Sequence, residues 1–276
     1  MSYNKLVVSD LVLQKTLKVF QGTPLEKANL NAYHLHGFGV FANPTYVSDP
    51  RIQFTTQLDI TDIYQNYLSH YKLTERITFA TFVKWIALKA MLHTPFTWRQ
   101  INSYWFEFTN LPLLVTMRFK NNRELALYVL ENVSQSTWEQ FCSIQEDYKA
   151  GKLPNVIKEV LELPTHSIAY QILNVHLPKM TSYNVTTRAI YAHQPFIVFS
   201  DRYELDKKLY LPFYLNYSHA TLTPEDAEEF INQFLRYAKL PPTQVEEAIK
   251  GRSSLSSPSN IAESKSGVEP EDDLSF

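Results

Sequence analysis

Glycine is scarce in this chain, with only 6 Gly among 276 residues, or about 2% against an average of about 7%. Loops that bind nucleotide phosphates are rich in Gly, because only Gly lets the backbone approach the phosphate closely. Neither GxGxxG nor GxxxxGK[ST] occurs anywhere in the sequence. The scarcity therefore excludes the common chemistries that need a Gly-rich phosphate loop.

Aromatic residues are abundant instead: 17 Phe, 17 Tyr and 4 Trp supply large apolar areas for a core. A single domain of this length buries roughly three quarters of its unfolded surface, so it needs no metal or disulfide staple. Charges nearly balance, with 26 Lys and Arg against 28 Asp and Glu. This balance argues against nucleic acid as a partner, since such proteins carry a basic excess or stripe.

The termini differ from the rest of the chain. The N-terminal residues lack the apolar region of a secretory signal, and no uncharged apolar run reaches ~18 residues. The one cysteine, Cys142, cannot form an internal disulfide, so we expect a cytoplasmic protein without a membrane span. Residues 249–276 are rich in Ser and acidic residues, which predicts a disordered tail. That tail is either a solubilising terminus or a linear recognition signal.

Residues 1–248 read as one folded domain in which helical and strand-like patterns are interspersed. Residues 1–50 form an N-terminal extension, and its segment 31–47 is predicted to add a strand pair. At the other end, Thr223 is a predicted N-cap, with Pro224 at N1 and Asp226 at N3 of a helix. The fold class is α/β, specifically α+β with a partly antiparallel mixed sheet. Predicted strands are 52–60, 103–109, 111–119, 123–133, 168–175, 189–200 and 208–217, and predicted helices include 62–71, 136–149 and one that starts after Thr78.

His219 is the candidate for chemistry because of its place in the chain. Residues 218–222 separate a strongly apolar strand from a capped helix, so they must form a tight loop. Functional side chains are often carried on loops that rigid elements hold in place. An ordinary loop histidine is the alternative interpretation.

Other reactive groups receive plainer interpretations. His34 and His36 alternate and would share one face of a strand, but no Cys, Asp or Glu partner lies at metal-ligand spacing. We therefore interpret them as ordinary polar residues and expect no metal. No GxSxG occurs, and Cys142 lies within a helical pattern beside Phe141, which predicts a packed thiol.

Three stretches carry a resemblance to a known family. The sequence resembles the chloramphenicol acetyltransferase superfamily, including the catalytic core of 2-oxoacid dehydrogenase dihydrolipoyl acyltransferases, over roughly residues 50–240. The resemblance implies a two-layer sandwich, a homotrimer and active sites at subunit interfaces. The stretches are FTTQLDITDIY (54–64), TFATFVKWIALKAMLHTP (78–95) and LPFYLNYSHATLTPEDAEEFINQFL (211–235).

The resemblance also implies a reaction. The motif histidine of these transferases acts as a general base on an acceptor hydroxyl or thiol, which attacks an acyl-CoA thioester. By position His219 takes this role, with coenzyme A, as acyl-CoA, the co-substrate. The sequence keeps only the histidine of the family's HxxxDG motif, since Thr223 and Pro224 stand where the family has Asp and Gly. Ser218 is the residue that precedes this histidine. In the family that Asp is mainly a structural partner of an Arg, and this chain has no Arg before Arg51. Because both partners are missing, no unpaired buried charge is left.

The family's second catalytic group is a hydroxyl that stabilises the oxyanion. Gap-free registers put Leu173 or Val175 at its position, and neither side chain can donate a hydrogen bond. Asn174 is the first candidate for this donor, and Thr181 or Ser182 are alternatives if the register slips. The sequence therefore predicts a CoA-dependent acyltransferase, or alternatively a weak or inactive member that serves as a trimeric binding scaffold.

Overall fold

In the computed structural model, the described residues are 6–26, 30–40, 51–118, 125–152, 163–176 and 193–253. Apart from the segment 31–40, the predicted elements that fall in these ranges are present, with bounds that shift by a few residues. The helices are α1 (Asp10–Phe20), α2 (Ala32–Val40), α3 (Thr61–Asn66), α4 (Phe79–Met91), α5 (Trp138–Lys149), α6 (Thr165–Ile168), α7 (Pro224–Tyr237) and α8 (Pro242–Ser253). The strands are β1 (Gly22–Pro24), β2 (Arg51–Asp59), β3 (Trp98–Ile101), β4 (Tyr104–Phe108), β5 (Leu113–Arg118), β6 (Leu125–Leu130), β7 (Tyr170–Val175), β8 (Phe196–Ser200), β9 (Tyr203–Leu205) and β10 (Lys208–Ser218).

The main sheet is mixed. Its strand order is β2-β10-β8-β7-β5-β6, and β9 pairs with β10. The pairs β5–β7 and β7–β8 are parallel, whereas β2–β10, β8–β10 and β5–β6 are antiparallel. A smaller sheet has the order β1-β4-β3. The mixed sheet with helices confirms the predicted α+β class.

Strand β10 pairs with β2, β8 and β9 and runs directly into the candidate site. Side chains alternate between faces along a strand, and Phe213 faces the helices, with its ring 5.5 Å from that of Phe234 and 6.3 Å from that of Phe230 on α7. All residues from 211 to 218 are buried. The loop that follows is therefore anchored on a strand that is packed on both faces.

Helix α7 begins as the sequence predicts. The hydroxyl oxygen of Thr223 accepts from the Asp226 N–H at 3.0 Å, and Asp226 Oδ2 accepts from the Thr223 N–H at 2.8 Å. This reciprocal pair is a capping box in which Asp takes the place of the usual Glu or Gln. Pro224 occupies the first turn, where its missing N–H costs nothing.

Two predictions differ from the structure. The predicted strand pair at 31–47 is wrong for residues 32–40, which form α2. The Asn31 side-chain oxygen accepts from the His34 N–H at 2.8 Å and caps this helix. His34 and His36 consequently lie two residues apart on a helix and do not share a face.

The C-terminal boundary also differs. Helix α8 extends to Ser253, past the predicted boundary at 249, because Val245 is buried and Ile249 packs against the core. Residues 254–276, and with them most of the predicted tail, lie outside the described residues. Among the residues that are described, no helix is long and apolar enough to cross a membrane.

Candidate active site

The loop that carries His219 is tightly hydrogen-bonded. The backbone N–H groups of Thr221 and Leu222 both donate to the Ser218 carbonyl at 3.1 Å. The Thr221 hydroxyl donates to the same carbonyl at 3.1 Å. Strand β10 ends at Ser218 and α7 begins at Pro224, so the predicted strand-to-helix loop is present. His219 projects from it as a half-buried side chain.

Tyr33 is the nearest described partner of the His219 ring. Its hydroxyl oxygen lies 2.7 Å from His219 Nδ1, 3.3 Å from Nε2 and 3.5 Å from the His219 carbonyl oxygen. The Leu222 carbonyl oxygen lies 3.4 Å from Nδ1. Tyr33 is the second residue of α2, which thereby places a phenol against the imidazole across 186 positions of sequence.

The next residue of α2 connects it to the start of α7. His34 Nε2 lies 3.9 Å from Asp226 Oδ2, and the His34 ring is 4.8 Å from that of Trp98. Burial raises the pKa of Asp226, but the contact with His34 and the Thr223 N–H together hold it below its ordinary value. The carboxylate thus stays ionised at neutral pH on the third residue of the helix, where the dipole favours negative charge.

A second histidine supports the loop from its other side. His193 Nδ1 lies 2.5 Å from Ser218 Oγ, and that oxygen accepts from the Ala220 N–H at 3.2 Å. Burial, and then the Arg99 guanidinium, lower the pKa of His193 to about 3. His193 is therefore neutral at pH 7 and shares one hydrogen bond with the Ser218 hydroxyl.

Helix α2 reaches both histidines. Phe38 stacks on Trp105 with ring centroids 4.1 Å apart and planes at 10°, and Trp105 lies 4.7 Å from the His193 ring. Tyr33, one turn earlier on the same helix, contacts His219. The helix therefore holds the loop through His219 directly and through Trp105 and His193 indirectly.

Asn174, the predicted oxyanion donor, does not lie beside His219 of the same chain. It is an exposed residue of β7 that pairs with Phe199, which in turn pairs with Phe213 of β10. Phe213 precedes His219 by six residues, or about 20 Å along a strand. Thr181 and Ser182, the alternative donors, lie outside the described residues.

Lys89, another side chain with a shifted pKa, lines a separate cleft. The cleft has a volume of about 870 Å³ and lies between the C-terminal part of α4 and α8. Its ammonium donates to the carbonyls of Ser134 at 2.7 Å and Ser136 at 2.6 Å. Burial lowers the pKa of Lys89 to about 7, while Glu246 opposes the shift. The described lining residues of this cleft include none of the predicted site residues, and Lys89 holds the turn that precedes α5.

Sequence reasoning missed Tyr33 and His193. The Asn31 cap is the one local signal that could have predicted α2, and no local pattern pairs a residue of α2 with His219. His193 was one histidine among eight. Its partner Ser218 was singled out only as a position in the motif, and the hydrogen bond between them depends on the sheet.

Cys142 lies away from these residues and is buried, which confirms the predicted packed thiol. Burial, with Glu146 adding to it, raises the pKa of Cys142 to about 12. Within the ranges that the structure describes, no cluster of three or more His, Cys, Asp or Glu side chains could hold a metal ion.

The fold is that of known acyltransferases. No protein-family model matches the chain, and no curated protein sequence matches it. Among solved structures, a chloramphenicol acetyltransferase superposes with a TM-score of 0.60 at 12% identity, over 79% of this chain and 100% of that chain. Azotobacter vinelandii dihydrolipoamide acetyltransferase gives a TM-score of 0.52 at 14% identity, over 78% of this chain and 91% of that chain.

A third structure, the cubic core of a pyruvate dehydrogenase multienzyme complex, gives a TM-score of 0.50 at 14% identity, over 78% of this chain and 94% of that chain. The chain therefore has the chloramphenicol acetyltransferase-like fold that the resemblance implied. At these identities the likeness concerns the fold, and the reaction has to be argued from the site.

Proposed function

We propose that this protein is a CoA-dependent acyltransferase that transfers an acyl group from acyl-CoA to a hydroxyl or thiol acceptor. The observation that carries the proposal is the position of His219. It is a half-buried imidazole in a hydrogen-bonded loop at the end of the buried strand β10. The shared fold with chloramphenicol acetyltransferase and dihydrolipoamide acetyltransferase supports the same reaction class.

In the proposed reaction His219 is the general base. It takes the proton from the acceptor O–H or S–H while the oxygen or sulfur attacks the thioester carbonyl. The tetrahedral intermediate collapses to the acylated acceptor and the CoA thiolate, which takes the proton back from the imidazolium. Proton transfer of this kind contributes about 10²–10⁴-fold to a rate.

We further propose a homotrimer with the site at the subunit interface. The sheet register supports this arrangement, because Asn174 is too far along the sheet to serve His219 of its own chain. In a trimer, Asn174 of one chain would stabilise the oxyanion formed beside His219 of the next, and Thr181 or Ser182 are the alternatives. Light scattering of the purified protein should give three times the chain mass of 32.1 kDa.

Cys142 supports the histidine mechanism and the compartment. A buried thiol with a raised pKa is a poor nucleophile at neutral pH. It is also the only cysteine of the sequence, which fits the proposed cytoplasmic location.

The test is the release of CoA from acetyl-CoA, followed with a thiol reagent, alone and with a panel of alcohols and thiols. Wild type should turn over about 10²–10⁴-fold faster than His219→Ala. His70→Ala is the matched control, because His70 is exposed at the end of a helical segment, and it should keep the wild-type rate. Equal rates for wild type and His219→Ala would contradict the proposal.

The second candidate function is a non-catalytic trimer that binds partners. Thr223 and Pro224 in place of the motif Asp and Gly favour it, as do the apolar Leu173 and Val175 at the expected donor positions. Such a protein would form the same trimer and show no turnover that depends on His219. The CoA-release assay therefore decides between the two functions.

A further inference from the structure

Arg99 of β3 is a cation buried in the protein, with only 1% of its surface exposed. Its Nε donates to the Ile168 carbonyl at 2.8 Å, and its Nη1 donates to the carbonyls of Phe96 and Trp98 at 2.7 Å each. In the part of the chain that the structure describes, no ion pair joins Arg99 to a carboxylate. Its acceptors are neutral, so they satisfy hydrogens of the guanidinium without balancing its charge. A buried charge without an opposite charge is costly.

The remaining nitrogen of this guanidinium, Nη2, is buried and has no hydrogen-bond partner among the described residues. The same holds for the hydroxyl of Tyr170, whose side chain is 0% exposed. Arg99 Cζ lies 5.4 Å from the centre of the Tyr170 ring. The ring attracts the cation but provides no acceptor for the hydroxyl that it carries. Two buried donors therefore belong to one pair of neighbouring side chains.

The chemistry of these two groups defines what they can bind. A guanidinium can only donate hydrogen bonds. Burial raises the pKa of Tyr170, although Arg99 opposes the shift, so its hydroxyl keeps a hydrogen to donate at neutral pH. A group that accepts from both and also balances the positive charge is an anion. Because both side chains are almost completely enclosed by protein, the anion must be small.

We infer that Arg99 and Tyr170 form an internal binding site for a small monovalent anion, with chloride as the simplest example. Arg99 Nη2 and the Tyr170 hydroxyl both donate to the ion. The inference goes beyond the proposed function, because it requires neither CoA nor turnover.

The charge of Arg99 also acts on the loop that carries His219. After burial, Arg99 is the second cause that lowers the pKa of His193, and His193 is hydrogen-bonded to Ser218 at the start of that loop. An anion bound at Arg99 would offset this part of the shift. Burial is the larger cause, so His193 stays neutral at pH 7 with or without the ion.

The experiment is urea denaturation of the full chain at pH 7.5 and constant ionic strength, with chloride replacing gluconate, an anion too large for an enclosed site. An ion that binds the folded protein and not the unfolded chain stabilises the fold by mass action. Above the dissociation constant, each tenfold rise in chloride should therefore raise the folding equilibrium constant about tenfold.

Tyr170→Phe removes one donor and keeps the ring against Arg99. It should weaken chloride binding about tenfold or more, as expected for the loss of one hydrogen bond to an ion. Tyr104→Phe is the matched control, since Tyr104 is 68% exposed on β4, and it should keep the chloride dependence of wild type. The unfolding curves themselves show whether each variant folds.

Crystals grown in bromide locate the ion directly. We expect an anomalous peak within hydrogen-bonding distance of Arg99 Nη2 and the Tyr170 hydroxyl. A water molecule or a protein acceptor at both donors would overturn the inference. A chloride effect of the same size in wild type and Tyr170→Phe would overturn it as well, because chloride would then act elsewhere on the protein.

Discussion

His219 and His193 lie on opposite sides of the same loop and have opposite properties. His219 is half-buried and contacts a neutral phenol, whereas His193 is 3% exposed and has a pKa of about 3. His193 is hydrogen-bonded to the hydroxyl of Ser218, the residue that precedes His219. The comparison shows that burial keeps the imidazole of His193 neutral at pH 7. His193 stabilises the loop, and we propose that His219, which the loop carries, acts as the general base.

Truncating His193 should lower the stability of the protein. His193→Ala removes a buried ring beside Trp105 and the hydrogen bond between that ring and the Ser218 hydroxyl. We expect a loss of about 2–4 kcal/mol in the free energy of unfolding. Urea denaturation at pH 7.5 measures it.

His193→Asn is the matched variant, because its side-chain amide can hydrogen-bond with the Ser218 hydroxyl in place of Nδ1. It should recover part of the stability that His193→Ala loses. Equal stability of His193→Ala and wild type would contradict the supporting role.

The pH dependence of stability tests the neutral state of His193. Its folded pKa of about 3 lies below its unfolded value, about 6.5. Between these values the unfolded chain binds more protons, so stability falls as the pH falls below about 6.5. The contribution should be about 2 kcal/mol smaller at pH 5 than at pH 7.

Urea denaturation of wild type and His193→Asn at both pH values isolates this contribution, because the other titrating groups cancel in the difference. The variant should lose less stability on acidification than wild type. Parallel losses in the two proteins would show that His193 titrates normally in the folded state.

Ser218→Ala should have the smallest effect of these variants on the unfolding free energy. It removes the hydroxyl that is hydrogen-bonded to the buried Nδ1 of His193. We expect a loss of about 1–2 kcal/mol in unfolding free energy. A double-mutant cycle with His193→Asn should show coupling, since the two side chains share one hydrogen bond. If the losses in unfolding free energy of the two single variants simply add in the double variant, the hydrogen bond does not contribute to stability.

The parts of the fold that depend on local chemistry could be predicted from the sequence. Helix α7 follows from Thr223, Pro224 and Asp226, which satisfy its first turn without help from other segments. Strand β10 follows from an apolar run, and the loop at His219 follows from the short distance between the two elements. These signals lie within a few residues of what they specify.

The rest of the site depends on distant contacts. Helix α2 contains Gly37 and Gly39, which weaken its helical signal, and it is oriented by the packing of Phe38 on Trp105. Tyr33 meets His219 across 186 positions, a separation that no local pattern records. Asn174 is a candidate donor because it lies beside the family's hydroxyl position when the two sequences are aligned without gaps. Its distance from His219 depends instead on how β7, β8 and β10 pair in the sheet.

The most direct test measures activity and stability on one set of variants. CoA release from acetyl-CoA and urea denaturation are recorded at pH 7.5 for wild type, His219→Ala and His193→Asn. We predict that His219→Ala loses turnover by about 10²-fold or more and about 0.5–1.5 kcal/mol of unfolding free energy, because it also removes the contact with Tyr33. We predict that His193→Asn loses stability and less than about tenfold in turnover. Equal turnover in wild type and His219→Ala would contradict His219 as the general base.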